Sequence, residues 1–178
     1  MPLHTLLSEE QIQNRVREMG EEISRDYEGR RPILLGVLKG CIPFIADLAR
    51  FIDLDVSLDY VQIASYHGQQ STGVVRFRKD HDVDIQGRDV ILVEDIVDTG
   101  LTLQYLRALL LTRNPASLKV SSLLSKPEAR RHDVLVEYLG FEIPNEFVVG
   151  YGLDDTEKYR NLPYIAVVRS ETPNLFEG

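Results

Sequence analysis

Three carboxylates and two threonine hydroxyls lie close together near the middle of the chain. Glu94 and Asp95 directly follow the apolar residues 90–93, and Asp98 precedes the loop 99–102, which reads Thr-Gly-Leu-Thr. An ionised carboxylate only accepts hydrogen bonds, so a neighbouring pair suits the adjacent hydroxyls of a sugar. The alternative is that Glu94 and Asp95 merely add negative charge before a helix. Two acids placed directly after four apolar residues favour a functional role.

The loop after Asp98 has the composition of an anion-binding turn. Gly100 allows a tight turn, and successive N–H groups with the Thr99 and Thr102 hydroxyls can surround a phosphate monoester at a helix N-terminus. The alternative is an ordinary helix N-cap formed by Asp98 or Thr99. Both functions use the same N–H groups, so the local sequence leaves both open. The loop lacks the lysine of a P-loop and the glycine spacing of a dinucleotide-binding turn.

A strand and a helix must position these groups. Residues 90–93 are uniformly apolar, as in a buried strand, and the leucines of residues 103–110 then recur with a helical period. The acids and the loop therefore lie at the carboxyl end of a strand, where open α/β sheets bind ligands. Residues 32–38 repeat this arrangement before Lys39 and Gly40. Lys39 is either a solvated lysine, which the local sequence favours, or a cation beside a glycine that lets an anion approach the backbone.

The order of the remaining elements predicts the fold class. Strands and helices alternate through the middle of the chain, which predicts an α/β fold with a mostly parallel, twisted sheet flanked by helices. We expect one domain over residues 1–178, with a small hood subdomain formed by roughly residues 1–30 and 140–178. Ser8 and Gln11 can form a capping box at the start of the first helix. Further strands are predicted at residues 56–60, 74–77, 118–124, 134–138, 147–150 and 164–168.

Composition limits the classes of function. The chain has 178 residues, a formal net charge of −8 and one cysteine, Cys41. The acidic balance argues against nucleic-acid binding, and no apolar run is long enough to cross a membrane. A lone cysteine cannot form an internal disulfide, which favours a reducing, cytoplasmic setting. The acidic residues 80–84 lack the spacing of a calcium loop, so we interpret them as a solvated loop with His81 on the surface.

Residues 90–102 resemble the phosphoribosyl-diphosphate motif of the type I phosphoribosyltransferases. The motif consists of apolar residues, two acids, an apolar pair and Asp-Thr-Gly-x-Thr, and it is highly specific to that family. Other stretches resemble, in order and spacing, the signatures of the hypoxanthine-guanine members: Leu38-Lys39-Gly40, Ser65-Tyr66, Lys126-Pro127 and residues 147–154. The resemblance implies the type I phosphoribosyltransferase fold. It also implies transfer of ribose 5-phosphate from phosphoribosyl diphosphate to hypoxanthine or guanine, giving IMP or GMP and pyrophosphate.

The resemblance assigns roles to residues along the chain. Asp98 would be the general base or acid at the purine N7 atom. Phosphoribosyl diphosphate and pyrophosphate would be bound by Lys39, Gly40, Ser65, Tyr66, Glu94, Asp95, Asp98, Thr99, Gly100, Leu101, Thr102 and Arg160. The purine site would contain Lys126, Phe147, Val148 and Asp154. Mg²⁺ would be the cofactor, held by Glu94, Asp95 and Asp154. Ser65 and Tyr66 would lie on a loop that closes over the reaction, and the peptide bond before Lys39 is expected to be cis.

The resemblance also leaves alternatives. It implies a homodimer or homotetramer without choosing between them. Ser125 stands where many bacterial relatives carry an acid, and Asp155 where an aromatic residue is frequent; either difference could tune base preference or magnesium affinity. A nucleotide-sensing regulator on the same fold is one rival function. A phosphoribosyltransferase for xanthine or for a pyrimidine is another.

Overall fold

The structure is a computed structural model that describes residues 2–64 and 76–169. In chain order, the strands of this part of the chain are β1 (Leu3–Leu7), β2 (Ile33–Leu38), β3 (Ser57–Ala64), β4 (Arg76–Lys79), β5 (Asp89–Val97), β6 (Ser117–Ser125), β7 (Tyr138–Glu142), β8 (Val148–Val149) and β9 (Ile165–Val168). The helices are α1 (Glu9–Asp26), α2 (Ile42–Arg50) and α3 (Leu101–Leu111). A short 3₁₀ helix, Pro127–Ala129, follows β6.

Six strands form the central sheet in the order β4-β3-β2-β5-β6-β7. All neighbours are parallel except β4, which pairs with β3 in the antiparallel direction at one edge. The apolar runs of β2 and β5 are buried on both faces, because α1 and α2 cover one face and α3 covers the other. The predicted α/β class with a mostly parallel, helix-flanked sheet is therefore confirmed.

Three central strands end at one edge of the sheet. β2 and β5 are paired with Ile33 opposite Val90, and β5 and β6 remain paired as far as Val97 opposite Ser125. The segments that follow β2, β5 and β6 therefore emerge side by side. β5 is longer than its apolar run indicates, since Glu94 is still paired, opposite Ser122. Both acids of the central motif thus lie within the strand and not in the loop after it.

Local sequence determines the start of α1. The Ser8 hydroxyl accepts a 3.1 Å hydrogen bond from the Gln11 N–H, and the Gln11 side chain accepts a 2.9 Å bond from the Ser8 N–H. This confirms the predicted capping box. The helix then buries Ile12, Val16, Met19 and Ile23 against the sheet and α2. Within the described residues, no helix has the length and apolar character needed to span a membrane.

A second, three-stranded sheet joins the two ends of the chain. β9 lies in the middle and pairs antiparallel with β1, Leu3 opposite Val168, and with β8, Val148 opposite Val167. β1 was not predicted, because its five residues carry too short a pattern to distinguish a strand from a loop. The division of the chain into a core and a hood remains a prediction.

The strand predicted at residues 134–138 is wrong over most of its length. Only Tyr138 is in a strand, β7, which continues to Glu142. Before it, the Glu137 carboxylate accepts a 2.7 Å hydrogen bond from the Val120 N–H and pairs with Arg107 at 3.4 Å. A side chain therefore satisfies this N–H of β6 where a strand backbone was expected.

His81 is not the surface residue that was predicted. Its side chain is only 9% exposed. The Nδ1 atom lies 2.7 Å from the Val83 carbonyl oxygen, and the Arg113 guanidinium contacts the Nε2 atom. Arg113 also pairs with Asp80 at 2.7 Å and lies 5.5 Å from the centre of the Phe77 ring. Arg113, which lies two residues after α3, therefore covers this histidine through a contact that no local pattern shows.

Packing at Gly20 gives a test of how α1 meets α2. A Cβ atom added there would lie 2.6 Å from the Phe51 Cβ and 2.7 Å from the Phe51 carbonyl oxygen. Helix propensity favours alanine by about 1 kcal/mol, but overpacking typically costs about 1–3 kcal/mol. We expect Gly20→Ala to lower the free energy of unfolding in urea titrations. Exposed Glu21→Ala on the same helix should change it by less than about 0.5 kcal/mol. A more stable Gly20→Ala protein would contradict this packing.

Candidate active site

Glu94 and Asp95 form a buried acidic pair within β5. Glu94 is 7% exposed, and the half-buried Asp95 accepts a 2.8 Å hydrogen bond from the Ile96 N–H. Burial, followed by repulsion from Asp95, raises the pKa of Glu94 well above its usual value. Burial also raises the pKa of Asp95 to about 6, although backbone hydrogen bonds and the charge of Arg160 oppose this. Such a pair favours an added cation, and carboxylate oxygens are ligands that Mg²⁺ prefers.

Two glycines let three distant segments come into contact beside this pair. A Cβ atom on Gly40 would lie 1.7 Å from the Asp95 Oδ2 atom, and one on Gly152 would lie 2.1 Å from the Gly40 carbonyl oxygen. Gly152 also has φ +97°, in the left-handed region that favours glycine. The loop after β2 is therefore enclosed between the end of β5 and the loop of residues 150–160.

Lys39 and Arg160 meet in this contact region through a shared carboxylate. The peptide bond between Leu38 and Lys39 is cis, as the family resemblance implies. The Lys39 Nζ atom lies 3.3 Å from the Glu157 Oε2 atom, and Arg160 Nη2 lies 2.8 Å from Glu157 Oε1. Arg160 also pairs with Asp154 at 3.3 Å, and the Asp154 Oδ2 atom accepts a 2.8 Å hydrogen bond from the Glu157 N–H. Sequence reasoning missed Glu157, because no local pattern shows that the loop after β2 contacts residues 150–160.

The turn between β5 and α3 presents backbone N–H groups to a cavity. The N-cap of α3 is Gly100, with φ +88° and no side-chain hydrogen bond, and not Asp98 or Thr99. Among the described residues, no acceptor binds the N–H of Thr102 or of Leu103. These two orphan donors at a helix N-terminus suit an anion. The cavity has a volume of about 200 Å³ and is lined by Val37, Glu94, Ile96, Val97, Asp98, Thr99, Gly100, Thr102 and Leu103.

A second segment holds this turn in place. The N–H groups of residues 131–132 donate hydrogen bonds of 2.9 and 3.0 Å to the Thr99 carbonyl oxygen. The Arg130 side chain donates to the Asp98 carbonyl oxygen at 3.3 Å and to the Ser125 hydroxyl at 2.6 Å. Ser125 is thus a neutral acceptor for Arg130, where an acid would form an ion pair. Sequence reasoning gave residues 130–132 no role, since contacts with a loop 32 positions away leave no local signal.

Lys126 and Asp98 face each other at the carboxyl edge of the sheet. The Lys126 Nζ atom lies 4.0 Å from the Asp98 Oδ2 atom; the Lys126 side chain is 9% exposed and that of Asp98 55%. Phe147 directly precedes β8 and is 54% exposed, whereas Val148 is buried. The structure thus brings a buried ammonium and an accessible carboxylate together, and leaves an aromatic ring exposed.

Two sets of predicted residues have a different status. Ser65 and Tyr66 lie outside the described residues. The expected magnesium ligands Glu94, Asp95 and Asp154 do not form one preformed group, and the described part of the chain contains no cluster of three or more acidic, histidine or cysteine side chains arranged to hold a metal ion. Asp154 does lie near enough for its charge to raise the pKa of Asp95. These assignments remain predictions.

An anion-binding turn after a strand with paired acids, on a parallel sheet, is the architecture of a phosphoribosyl transferase domain, and the model of that domain family matches residues 4–156. Hypoxanthine-guanine phosphoribosyltransferase of Streptococcus agalactiae is 49% identical over 93% of both chains. The Bacillus subtilis enzyme of the same name is 47% identical over 97% of this chain and 95% of its own. A crystal structure of such an enzyme from Bacillus anthracis has a TM-score of 0.90 at 50% identity, covering 93% of this chain and 98% of that one. The chain belongs to the hypoxanthine-guanine phosphoribosyltransferase family.

The buried acidic pair predicts an unusual dependence of stability on pH. Because the pKa of Asp95 is about 6 in the folded protein and about 4 in an unfolded chain, the folded state holds the proton more tightly. The protein should therefore lose stability as pH rises from about 4 through about 6. In metal-free buffer at pH 8, we expect Asp95→Asn to raise the free energy of unfolding by about 1–3 kcal/mol.

Urea titrations between pH 4 and 8 measure this difference. The gain from Asp95→Asn should be small at pH 4, grow through pH 6 and then stay constant. Exposed Asp133→Asn serves as the matched control and should show no such trend. An advantage of Asp95→Asn that shrinks as pH rises would contradict the burial argument.

Proposed function

We propose that this protein is a purine-salvage enzyme that transfers ribose 5-phosphate from phosphoribosyl diphosphate to hypoxanthine and guanine. The products are IMP or GMP and pyrophosphate. The observation that carries the proposal is the facing pair Lys126 and Asp98, 4.0 Å apart beside the anion-binding turn. Named relatives that are 47–49% identical over nearly the whole chain support the same reaction.

Lys126 and Asp98 divide recognition of the base between them. An ammonium donates hydrogen bonds only, so Lys126 suits the 6-oxo group of hypoxanthine or guanine. Against the exocyclic amine of adenine, the Lys126 ammonium and the amine would both be donors without an acceptor, which disfavours that base. Asp98, which is largely exposed, is placed to accept the N7 proton as the new glycosidic bond forms. The exposed Phe147 ring is available to stack on the base.

The two ends of the donor fit two anion sites. The 5′-phosphate suits the N–H groups of the turn before α3, with the Thr99 and Thr102 hydroxyls. The diphosphate suits the region where Lys39 and Arg160 meet. Breaking the bond at C1′ leaves an oxocarbenium-like sugar and a highly charged leaving group, so cations fixed near the diphosphate stabilise the transition state. The loop carrying Ser65 and Tyr66 is the proposed cover that keeps water from the sugar cation.

Mg²⁺ is part of the proposal. The chemistry of the donor set fits this ion, since Glu94 is buried, the adjoining Asp95 is half-buried, and burial raises the pKa of both carboxylates. These two acids would hold an ion on the ribose side, and Asp154 would hold one on the diphosphate side. When bound, the ion would neutralise charge on the leaving diphosphate.

Steady-state kinetics with five bases tests the function. Phosphoribosyl diphosphate and magnesium are supplied with hypoxanthine, guanine, xanthine, adenine or uracil, and nucleotide formation is measured. We expect turnover with hypoxanthine and guanine and little with adenine or uracil. Exclusive use of xanthine or uracil would replace the proposed acceptor. A protein that binds nucleotide without forming any product would be a regulator on this fold.

Removal of the Asp98 carboxylate should separate chemistry from folding. The side chain is 55% exposed, so Asp98→Ala and Asp98→Asn should unfold at nearly the parent temperature. Loss of the proton acceptor should lower kcat by about 10²- to 10⁴-fold. Asp133→Ala, which removes an exposed acid from the segment before β7, should keep the parent kcat. Parent-like turnover by Asp98→Ala would exclude Asp98 from the proton transfer.

Assembly and location complete the proposal. We expect two or four copies of the chain in solution, which sedimentation velocity distinguishes. A reducing, cytoplasmic setting agrees with the single cysteine, Cys41, whose buried thiol has a raised pKa.

A further inference from the structure

The Glu157 carboxylate bridges two cations as a phosphate group would. One oxygen lies 3.3 Å from the Lys39 ammonium, and the other lies 2.8 Å from the Arg160 guanidinium. Lys39 follows β2, 118 positions earlier in the chain than Glu157. A single anion with one oxygen facing each of two convergent cations is the arrangement in which a phosphate is bound.

The backbone around Glu157 is shaped to hold it there. Thr156 and Glu157 have φ +50° and +64° and are the central residues of a tight turn, closed by two hydrogen bonds between Asp155 and Lys158 of 3.1 and 3.0 Å. Turns of this kind favour asparagine and glycine, because other residues adopt left-handed φ at a cost. The Asp154 carboxylate further fixes the Glu157 N–H at 2.8 Å.

The charges of this cluster cancel. Lys39 and Arg160 contribute two positive charges, and Asp154 and Glu157 contribute two negative charges. The Lys39 and Glu157 side chains are 51% and 64% exposed. Ion pairs at such positions contribute little individually, because water and salt screen them. The carboxylate can therefore turn into solvent at small cost and leave Lys39 and Arg160 facing the space that it occupied.

We propose that Glu157 is an internal competitor of pyrophosphate: its carboxylate occupies the position between Lys39 and Arg160, moves out when a diphosphate binds, and returns as pyrophosphate leaves. The inference rests on the proposed function, in which these two cations bind the diphosphate of the donor. Glu157 thereby weakens binding at the diphosphate site and favours release of the product. It does not touch the purine or the 5′-phosphate end.

Glu157→Gln gives the direct test. It keeps the size of the side chain and the backbone turn but removes the competing charge. We expect the inhibition constant of pyrophosphate, and the KM for phosphoribosyl diphosphate, to fall by about two- to tenfold, the range that two exposed ion pairs provide. The KM for hypoxanthine should not change. The difference from the parent should shrink at high salt, where exposed charges are screened.

Two further variants make the test specific. Glu18→Gln removes the same charge and the same i,i+3 pairing with an arginine, Arg15 at 2.9 Å, and should leave pyrophosphate inhibition unchanged. Glu157→Asp keeps the charge on a shorter side chain, and its inhibition constant should lie between those of the parent and Glu157→Gln. A merely structural role would instead weaken pyrophosphate binding in both Glu157 variants.

The outcomes also distinguish failure of this inference from failure of the proposed function on which it rests. Equal or weaker pyrophosphate inhibition of Glu157→Gln, in a parent that uses phosphoribosyl diphosphate, would overturn the role of Glu157 and leave the function intact. A parent that neither turns over this donor nor binds pyrophosphate would overturn both. Tighter inhibition of Glu157→Gln with an unchanged hypoxanthine KM is the expected result.

Discussion

The contact of Gly40 with Asp95 on one side and with Gly152 on the other determines how the site is assembled. Any side chain at either glycine would overlap an oxygen atom of its neighbour. Because β2 and β5 are adjacent parallel strands, the loop after β2 must emerge beside Asp95. The loop of residues 150–160 then closes against the loop after β2. This is why Lys39 and Arg160, far apart in the chain, reach one small volume.

The proposed anion sites are compatible with an acidic protein because the charges around them are local. The formal net charge is −8, but salt screens exposed charges beyond about 8–10 Å. At the turn before α3, the groups proposed to contact the phosphate are backbone N–H groups. They carry no full charge, so nearby acids cannot form ion pairs with them. At the base end, Lys126 is buried and faces only Asp98 among its ion-pair partners in the described residues. At the proposed diphosphate end, Lys39 and Arg160 pair with the Glu157 carboxylate, and Arg160 also pairs with Asp154.

The parts of this molecule that were predictable from sequence are those with local causes. The capping box at Ser8, the apolar runs of β2 and β5 and the glycine turn before α3 all lie within a few residues of what they determine. The apolar run Val134-Leu135-Val136 predicts a strand, but these residues are not in one, and the Glu137 side chain accepts a hydrogen bond from a β6 N–H instead. His81 was predicted to lie on the surface because the local sequence does not show Arg113, which covers it from beyond the end of a distant helix.

The candidate site divides in the same way. Its central motif has a specific order of residues, so the resemblance to the type I phosphoribosyltransferases assigns roles to Asp98 and to the turn, and these roles remain predictions. The residues that hold this motif in place have no comparably specific order in the sequence. Arg130 contacts the Asp98 carbonyl oxygen and the Ser125 hydroxyl only because β5 and β6 end side by side. The contact between Glu157 and Lys39 becomes apparent only when the loop after β2 is placed beside Glu157.

The two proposed anion sites also differ in how firmly they are held, and this difference suits the proposed reaction. The turn before α3 is held by backbone hydrogen bonds of 2.9 and 3.0 Å from residues 131–132, which salt does not screen as it screens exposed ion pairs. The diphosphate end is held by exposed ion pairs of Lys39 and Arg160 with Glu157, which exchange readily with solvent. A transferase of this kind must keep the sugar phosphate fixed while the leaving group departs. A rigid turn at the proposed 5′-phosphate site and exchangeable ion pairs at the proposed pyrophosphate site would meet both requirements.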